Sequence, residues 1–214
     1  MFKKKEKKHF FNVTPDMSEY GTIVNIFHTD YDKASHEYLN INYGIMAIEK
    51  GAFKDITNLK EIIINDSVRT IEAQAFRGCI RLSNITLPNG LTEIASEIFY
   101  DCRMLDDILI PNTVRKIGSN AFTNCTSLRD IKLPASIRII GSEAFSGCTM
   151  LKELVLPRDL ISIGNNLVVN STIESITLHK RFKDLLETIV PGYIKIEELE
   201  KEMIKVIVKN TQEN

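Results

Sequence analysis

Four cysteines and four histidines are the residues of this 214-residue chain best suited to chemistry. Thiolates and imidazoles bind zinc, and a thiolate beside an imidazole makes a nucleophile. The spacing argues against both uses. Cys79, Cys102, Cys125 and Cys148 stand 23 residues apart, and no Cys-x-x-Cys pair occurs. His9, His28, His36 and His179 all fall outside the stretch that holds the thiols. Ligands strung along a regular repeat lie in a row and cannot surround a tetrahedral ion. Disulfides between neighbours are within reach, but side chains pointing in parallel disfavour them. The spacing therefore predicts a column of buried thiols packing as small apolar groups, which suits a reducing compartment. His28, Asp30, Asp32 and His36 form the other ligand-like group, and among polar neighbours they read as surface. No Gly-rich phosphate loop and no nucleophile elbow is present. No catalytic residue, metal site or cofactor is expected, and the chain reads as non-enzymatic.

The elements that place the thiols share their period. Ile48, Ile71, Ile94, Ile117, Ile140 and Ile163 are 23 apart, as are Phe53, Phe76, Phe99, Phe122 and Phe145. A fixed period of this length implies a solenoid, each repeat one coil stacked on the next. Within a coil, Leu-x-x-Leu-x-Leu-Pro recurs at Leu82–Pro88, Leu105–Pro111, Leu128–Pro134 and Leu151–Pro157. Its period-two alternation predicts a short strand with Leu and Ile facing in. Proline ends the strand because it donates no ladder hydrogen bond. A second apolar pair (Val68/Ile71, Leu91/Ile94, Val114/Ile117, Ile137/Ile140, Leu160/Ile163) predicts a second short strand. Gly-Ser-x-Ala-Phe follows at Gly118 and Gly141, where Gly allows a turn, Ser caps a single helical turn and Phe plugs the interior.

This pattern, Leu-x-x-Leu-x-Leu-Pro with Ile-Gly, Ala-Phe and Cys at a 23-residue period, resembles the BspA-like leucine-rich repeats over about residues 36–178. The resemblance implies an α/β leucine-rich repeat solenoid of about six coils, curved, with a parallel sheet on its concave side. It also implies protein–protein binding or adhesion without catalysis, and many relatives are exported surface proteins.

Bulk numbers narrow the partners. Apolar residues make up 43%, enough for a real core, and the formal net charge is −1. A near-neutral chain gives no basic surface for phosphates, so nucleic acid is not the expected partner. No apolar run approaches the roughly 18 residues that a membrane span needs. The basic opening, Met1 to Lys8, is followed by residues too polar for a secretory leader. The expected location is cytoplasmic, with cell surface or secretion as the alternative that the resemblance implies.

Residues 1–35 do not fit the repeat register and read as an N-terminal cap. Within them, Thr22 to Phe27 reads as a strand and Tyr31 to Tyr38 as a polar helical piece. Leu39, Ile41 and Ile45 make a half-coil, and residues 36–178 form the solenoid. Near its end one residue is lost, so Ile176 and Leu178 fall 22 after Leu154 and Leu156. Residues 179–214 read as a helical C-terminal cap. Phe182 to Val190 gives a first helix, Tyr193 to Ile196 a possible strand, and Leu199, Met203, Ile204 and Ile207 recur at helical spacing. Solenoid ends expose their core and need such covers.

Stacking turns each outward position into a column. One column reads Glu61, Asn84, Asp107, Asp130, Glu153, Ser175; the next reads Ile63, Thr86, Leu109, Lys132, Val155, Thr177. Like charges on neighbouring strands repel, so stability does not explain the acids. Apolar groups beside an acidic stripe suit a protein ligand with basic and apolar groups. The candidate site on the concave face is therefore Glu61, Ile63, Asp107, Leu109, Asp130, Lys132, Glu153 and Val155. A second column, Arg69, Thr92, Arg115, Arg138 and Ile161, reads as a solvated basic edge. The alternative to ligand binding is self-assembly, with a homodimer formed through the C-terminal segment or the solenoid ends.

Overall fold

The computed structural model describes residues 11–13, 22–23, 37–200 and 202–208. Numbered along the chain, the strands are β1 Phe11–Val13, β2 Thr22–Ile23, β3 Tyr38–Ile41, β4 Ala47–Ile48, β5 Glu61–Ile64, β6 Thr70–Ile71, β7 Asn84–Thr86 and β8 Glu93–Ile94. They continue as β9 Lys116–Ile117, β10 Ile139–Ile140, β11 Glu153–Val155, β12 Ser162–Ile163, β13 Ser175–His179, β14 Tyr193–Glu198 and β15 Met203–Val208. A 3-10 helix, Lys180–Leu185, runs into one short α-helix, α1, Leu186–Ile189.

The solenoid of about six coils is present, with the expected register. The Leu-x-x-Leu-x-Leu segments supply a first row of strands: Leu39 pairs with Ile62, and Ile62 with Ile85. The second apolar pair supplies a second row, in which Ile94, Ile117, Ile140 and Ile163 align in parallel. Most inward residues of both rows are buried, with Ile85, Leu133 and Ile163 half-buried, and Leu59, Leu82, Leu105, Leu128 and Leu151 are buried too. The five phenylalanines stack through the interior with ring centroids 5.3, 5.7, 5.5 and 5.5 Å apart. Each ring that leaves water contributes about 1.5–3 kcal/mol, so this one column is a large share of the core.

The cysteines queue as expected. Each is fully buried, and each Sγ–H donates to the carbonyl of the phenylalanine 26 residues earlier. Cys79 reaches Phe53 O at 3.1 Å; Cys102, Cys125 and Cys148 reach Phe76, Phe99 and Phe122 at 3.2 Å. Each of these carbonyls also accepts the backbone N–H three residues on (Ile56, Cys79, Cys102 and Cys125), so the thiol is a second, weak donor to it and is itself satisfied in the core.

The turn after the second row differs from expectation. It is not helical: two positions per coil sit in the left-handed region. One column is Gly51, Gln74, Glu97, Asn120, Glu143 and Asn166; the other is Asp55, Gly78, Asp101, Asn124, Gly147 and Asn170. A left-handed residue immediately after the serine breaks the run of helical dihedrals that one helical turn requires.

The two rows do not close together. Gly118, Gly141 and Gly164 bring their coils tightly onto the preceding ones, their N–H groups 2.7, 2.8 and 2.8 Å from Ile94, Ile117 and Ile140 O. A Cβ at these glycines would lie 2.4, 2.4 and 2.2 Å from the backbone nitrogens of Ser96, Ser119 and Ser142. Here β8, β9, β10 and β12 form one unbroken sheet. Ala95 holds the equivalent position one coil earlier, and β6 does not pair with β8. The first row behaves in the opposite way. It is continuous through β1, β3, β5 and β7, then no ladder joins the described residues 107–110 and 130–133 until β11 meets β13. The sheet that the resemblance implied on this face is therefore two sheets with a gap.

Both ends depart from the 23-residue register. Phe11 pairs with Leu39, 28 residues on, and Thr22 with Ala47, 25 residues on. The strand expected within Thr22–Phe27 is present as β2. The helical piece expected at 31–38 falls mostly outside the described residues, as do His9 and the group His28, Asp30, Asp32, His36. At the other end, Leu154 pairs with Ile176, so the lost residue is absorbed and the ladder continues.

The helical cap expected over 179–214 is corrected. Among the described residues helix is confined to 180–189, and β14 and β15 form an antiparallel hairpin that extends the first-row sheet in the order β11, β13, β15, β14. Ile204 and Val206 are buried while Met203, Lys205 and Ile207 are half-buried, a period of two. Leu199, which completed the helical spacing, lies exposed outside either strand. Covering the open edge of β13 decides the matter, because edge backbone groups need hydrogen-bond partners.

Candidate functional site

Alternation in the first row determines which side chains face out. In β11, Glu153 and Val155 are exposed and Leu154 is buried between them. The same register exposes Asp107 and Leu109 around Ile108, and Asp130 and Lys132 around Ile131. Two exposed apolar groups stand out: Leu109 is 80% exposed and Val155 60%. They share one column, two coils apart.

Two grooves run across these columns, one over the unladdered coils and one reaching back over β5 and β7. One groove is lined by Asp106, Asp107, Ile108, Leu109, Arg129, Asp130 and Lys132. The adjoining groove is lined by Ile63, Asp66, Ile85, Thr86, Asn89, Leu109 and Pro111, among others. Of the eight residues chosen from the sequence, Ile63, Asp107, Leu109, Asp130 and Lys132 thus meet in two grooves that share Leu109. Glu153 and Val155 stand beyond them on β11, where Glu153 lies 3.9 Å from Lys205 of the hairpin. Glu61 and Ile63 are half-buried at the other end. The last member of the acidic column, Ser175, is buried, because β15 pairs against it.

Spacing alone did not select Asp66 and Asn89. The Asn89 N–H donates to Asp66 Oδ1 at 2.7 Å, and Asn89 Nδ2 donates to Oδ2 at 3.1 Å. These bonds, with Arg69 nearby, hold the Asp66 carboxyl below the usual carboxylate range. Asp66 therefore adds a fixed negative charge to the groove beneath Leu109. The pair shares a repeat column, and that was the available signal. Asp106 was also missed, since it sits one residue before the acidic column. Tyr43 and Met46, 80% and 58% exposed, carry no repeat signal at all.

The arginine column has visible work within the fold. Arg69 Nη1 donates to Asp66 O, and Arg138 Nη1 donates to Ala135 O at 2.7 Å and Ile137 O at 3.1 Å. Both guanidinium groups staple the carbonyl three residues back in their own turn. Arg115 is exposed.

The buried thiols offer no reactive centre. Removal from water pushes all four well above the ordinary thiol range, Cys148 up to about 12. A thiolate, which is the nucleophile and metal ligand, does not form there at neutral pH. His179 is occupied as a cap, its Nδ1 accepting from Arg181 N at 3.1 Å. Among the described residues no helix is long and apolar enough to cross a membrane.

Comparisons with known proteins agree with this architecture. The model of the BspA type leucine rich repeat region matches residues 25–134 and 115–202, with six copies. A leucine-rich repeat protein of T. pallidum is 34% identical over 57% of this chain and 64% of its own, with a TM-score of 0.51. A leucine-rich cell surface protein of Faecalibacterium prausnitzii A2-165 is 27% identical over 79% of this chain and 45% of its own, with a TM-score of 0.60. A leucine-rich repeat protein of Bacteroides ovatus, 24% identical with a TM-score of 0.50, shares the fold over 63% of this chain and 49% of its own. The chain thus spans between about half and two thirds of the length of these relatives. A comparison with curated proteins finds no match. The six-coil register, the phenylalanine and thiol columns and the matched repeat region together place this chain in the BspA-type leucine-rich repeat family.

Proposed function

We propose that this chain is a non-enzymatic protein-binding module whose first-row face takes a protein segment carrying basic and apolar groups. Leucine-rich repeat proteins are generally protein-interaction modules, typically without catalysis, which supports the class. The observation that carries the choice of face is the pairing of exposed Leu109 and Val155 with Asp107, Asp130 and Glu153 on the adjacent column. Exposed apolar groups in contact with water are unfavourable until covered, and the acids favour a cationic cover over a neutral one. The surface is part of a packed solenoid, so little ordering entropy opposes binding.

Location divides into two readings. The cytoplasm is the reading from the sequence; a cell surface setting is supported by the similarity to the surface protein of Faecalibacterium prausnitzii. Fractionation of the producing cell with an antibody to this chain separates them.

The binding reading is tested by selecting a displayed random-peptide library on the immobilised full chain. The selected peptides are expected to combine Lys or Arg with Leu, Ile, Val or Phe. Their binding should fall at least about tenfold in Asp107→Lys/Glu153→Lys and in Leu109→Glu, as expected for losing one or two well-placed contacts. Arg115→Ala should leave it unchanged. Peptides without basic bias, or equal binding to the double variant, would reject the assignment of this face.

A further inference from the structure

The hairpin that covers β13 creates a new edge. β14 ends its sheet, and among the described residues no strand pairs with its free side. At six residues it is longer than any solenoid strand, and long uncovered edges are templates for another chain. Its sequence, Tyr193-Ile-Lys-Ile-Glu-Glu198, decides which chain fits.

We propose that β14 pairs antiparallel with β14 of a second copy of this chain, about a two-fold axis at Ile196. Three two-fold registers keep matching side chains on one face along the strand's middle. Centred on Lys195, the strand places Lys195 opposite its own copy. Centred on Glu197, it places Glu197 opposite its own copy. Like charges directly opposite are destabilising. Centred on Ile196, it places Lys195 opposite Glu197 twice and Ile196 opposite itself. Only this register is charge-complementary.

The geometry of the single chain supports the required arrangement. Lys195 Nζ lies 2.9 Å from Glu197 Oε1, so both side chains already share one face. On that face Glu197 pairs across to Lys205 of β15. The row across the joined sheets would then read Lys205, Glu197, Lys195 of the copy, alternating in sign. The bulge of β14 lies between Tyr193 and Lys195, which leaves Lys195–Glu198 regular for pairing. Edge lysines and bulges commonly discourage pairing; here they exclude the other registers and leave one. The interface is a single strand pair, so the dimer is weak and concentration-dependent.

Sedimentation velocity of the full chain from about 10 μM to about 1 mM covers the range expected for an interface at the small end of the scale. A reversible shift from monomer to dimer is expected. Lys195→Glu should weaken it about tenfold, since two opposite-charge pairs become like-charge pairs. The swap Lys195→Glu/Glu197→Lys should restore it, because the Ile196 register pairs the exchanged charges equally well. Circular dichroism on each variant checks that the fold is kept. A monomer at every concentration overturns the proposal. So does a dimer indifferent to Lys195→Glu, or one that the folded double swap fails to restore. Asp107→Lys, outside the sheet that holds the hairpin, should leave the dimer intact.

Discussion

Replacing Gly141 by alanine tests the account of coil packing most sharply. A Cβ there would lie 2.4 Å from Ser119 N and 2.7 Å from Gly118 C and Ser119 Cα, all backbone atoms of the preceding coil. Ordinary carbon contacts begin near 3.5 Å, so the coils must part by about 1 Å. The Gly141 N–H to Ile117 O bond, now 2.8 Å, would stretch beyond hydrogen-bonding distance. Losing that bond costs about 0.5–1.5 kcal/mol, and overpacking adds about 1–3 kcal/mol. Reduced freedom of the unfolded chain returns about 0.4–1 kcal/mol. Taken at mid-range, the net expectation is a loss of about 2 kcal/mol, or a Tm lowered by about 4–8 °C for a chain of this size. Gly90→Ala is the matched control. Its nearest atom is Arg69 Nη1 at 2.6 Å, the far end of an exposed side chain that can move aside at the cost only of its solvent-exposed bond to Asp66 O. It should change stability by about 0.5 kcal/mol or less. Thermal melts followed by circular dichroism compare the two. Gly141→Ala melting with Gly90→Ala and the wild type would refute close packing at these glycines.

The thiol column and the left-handed column carry two further expectations. Burial holds all four folded thiols above their usual range, Cys148 up to about 12, whereas unfolded thiols ionise near 9.0. Stability from this source is therefore complete below about pH 9 and falls as pH rises through the window up to the folded values, by up to about 1.4 kcal/mol per thiol per pH unit. Melts between pH 8 and pH 10 check this, and Cys148→Ala should flatten the slope. Gln74 holds φ 62° with only a 3.3 Å side-chain bond to Glu97. Gln74→Gly should raise stability by up to about 1 kcal/mol, read as a higher urea midpoint at unchanged slope.

How much of this was legible follows from which residues repeat. Ile71, Phe76 and Cys79 recur with the same identity in coil after coil, so register, core and thiol column could be read directly. The left-handed positions could not, because Gly51, Gln74, Glu97 and Asn120 share a backbone conformation without sharing a side chain. The interrupted first row was hidden for a related reason: Ile85, Ile108 and Ile131 share one identity, yet β7 pairs in a ladder and residues 107–110 and 130–133 do not. The hairpin was misread because Leu199, Met203, Ile204 and Ile207 fit a helical period by coincidence. Only the open edge of β13, a tertiary fact, selects the period of two in Met203–Val208. For the candidate site, outward columns followed from alternation. The grooves that join Ile63, Leu109 and Asp130 did not, since they depend on how neighbouring coils sit against one another and not on which residues alternate.

Amide hydrogen exchange with and without a selected basic peptide measures the central claim directly. In the free chain, amides of 107–110 and 130–133, which lack a ladder, should exchange faster than those of β5 and β13. Peptide should slow exchange across 106–110, 129–133 and 153–155. Slowing confined to the turns or to the β14–β15 hairpin would contradict recognition by the first-row face.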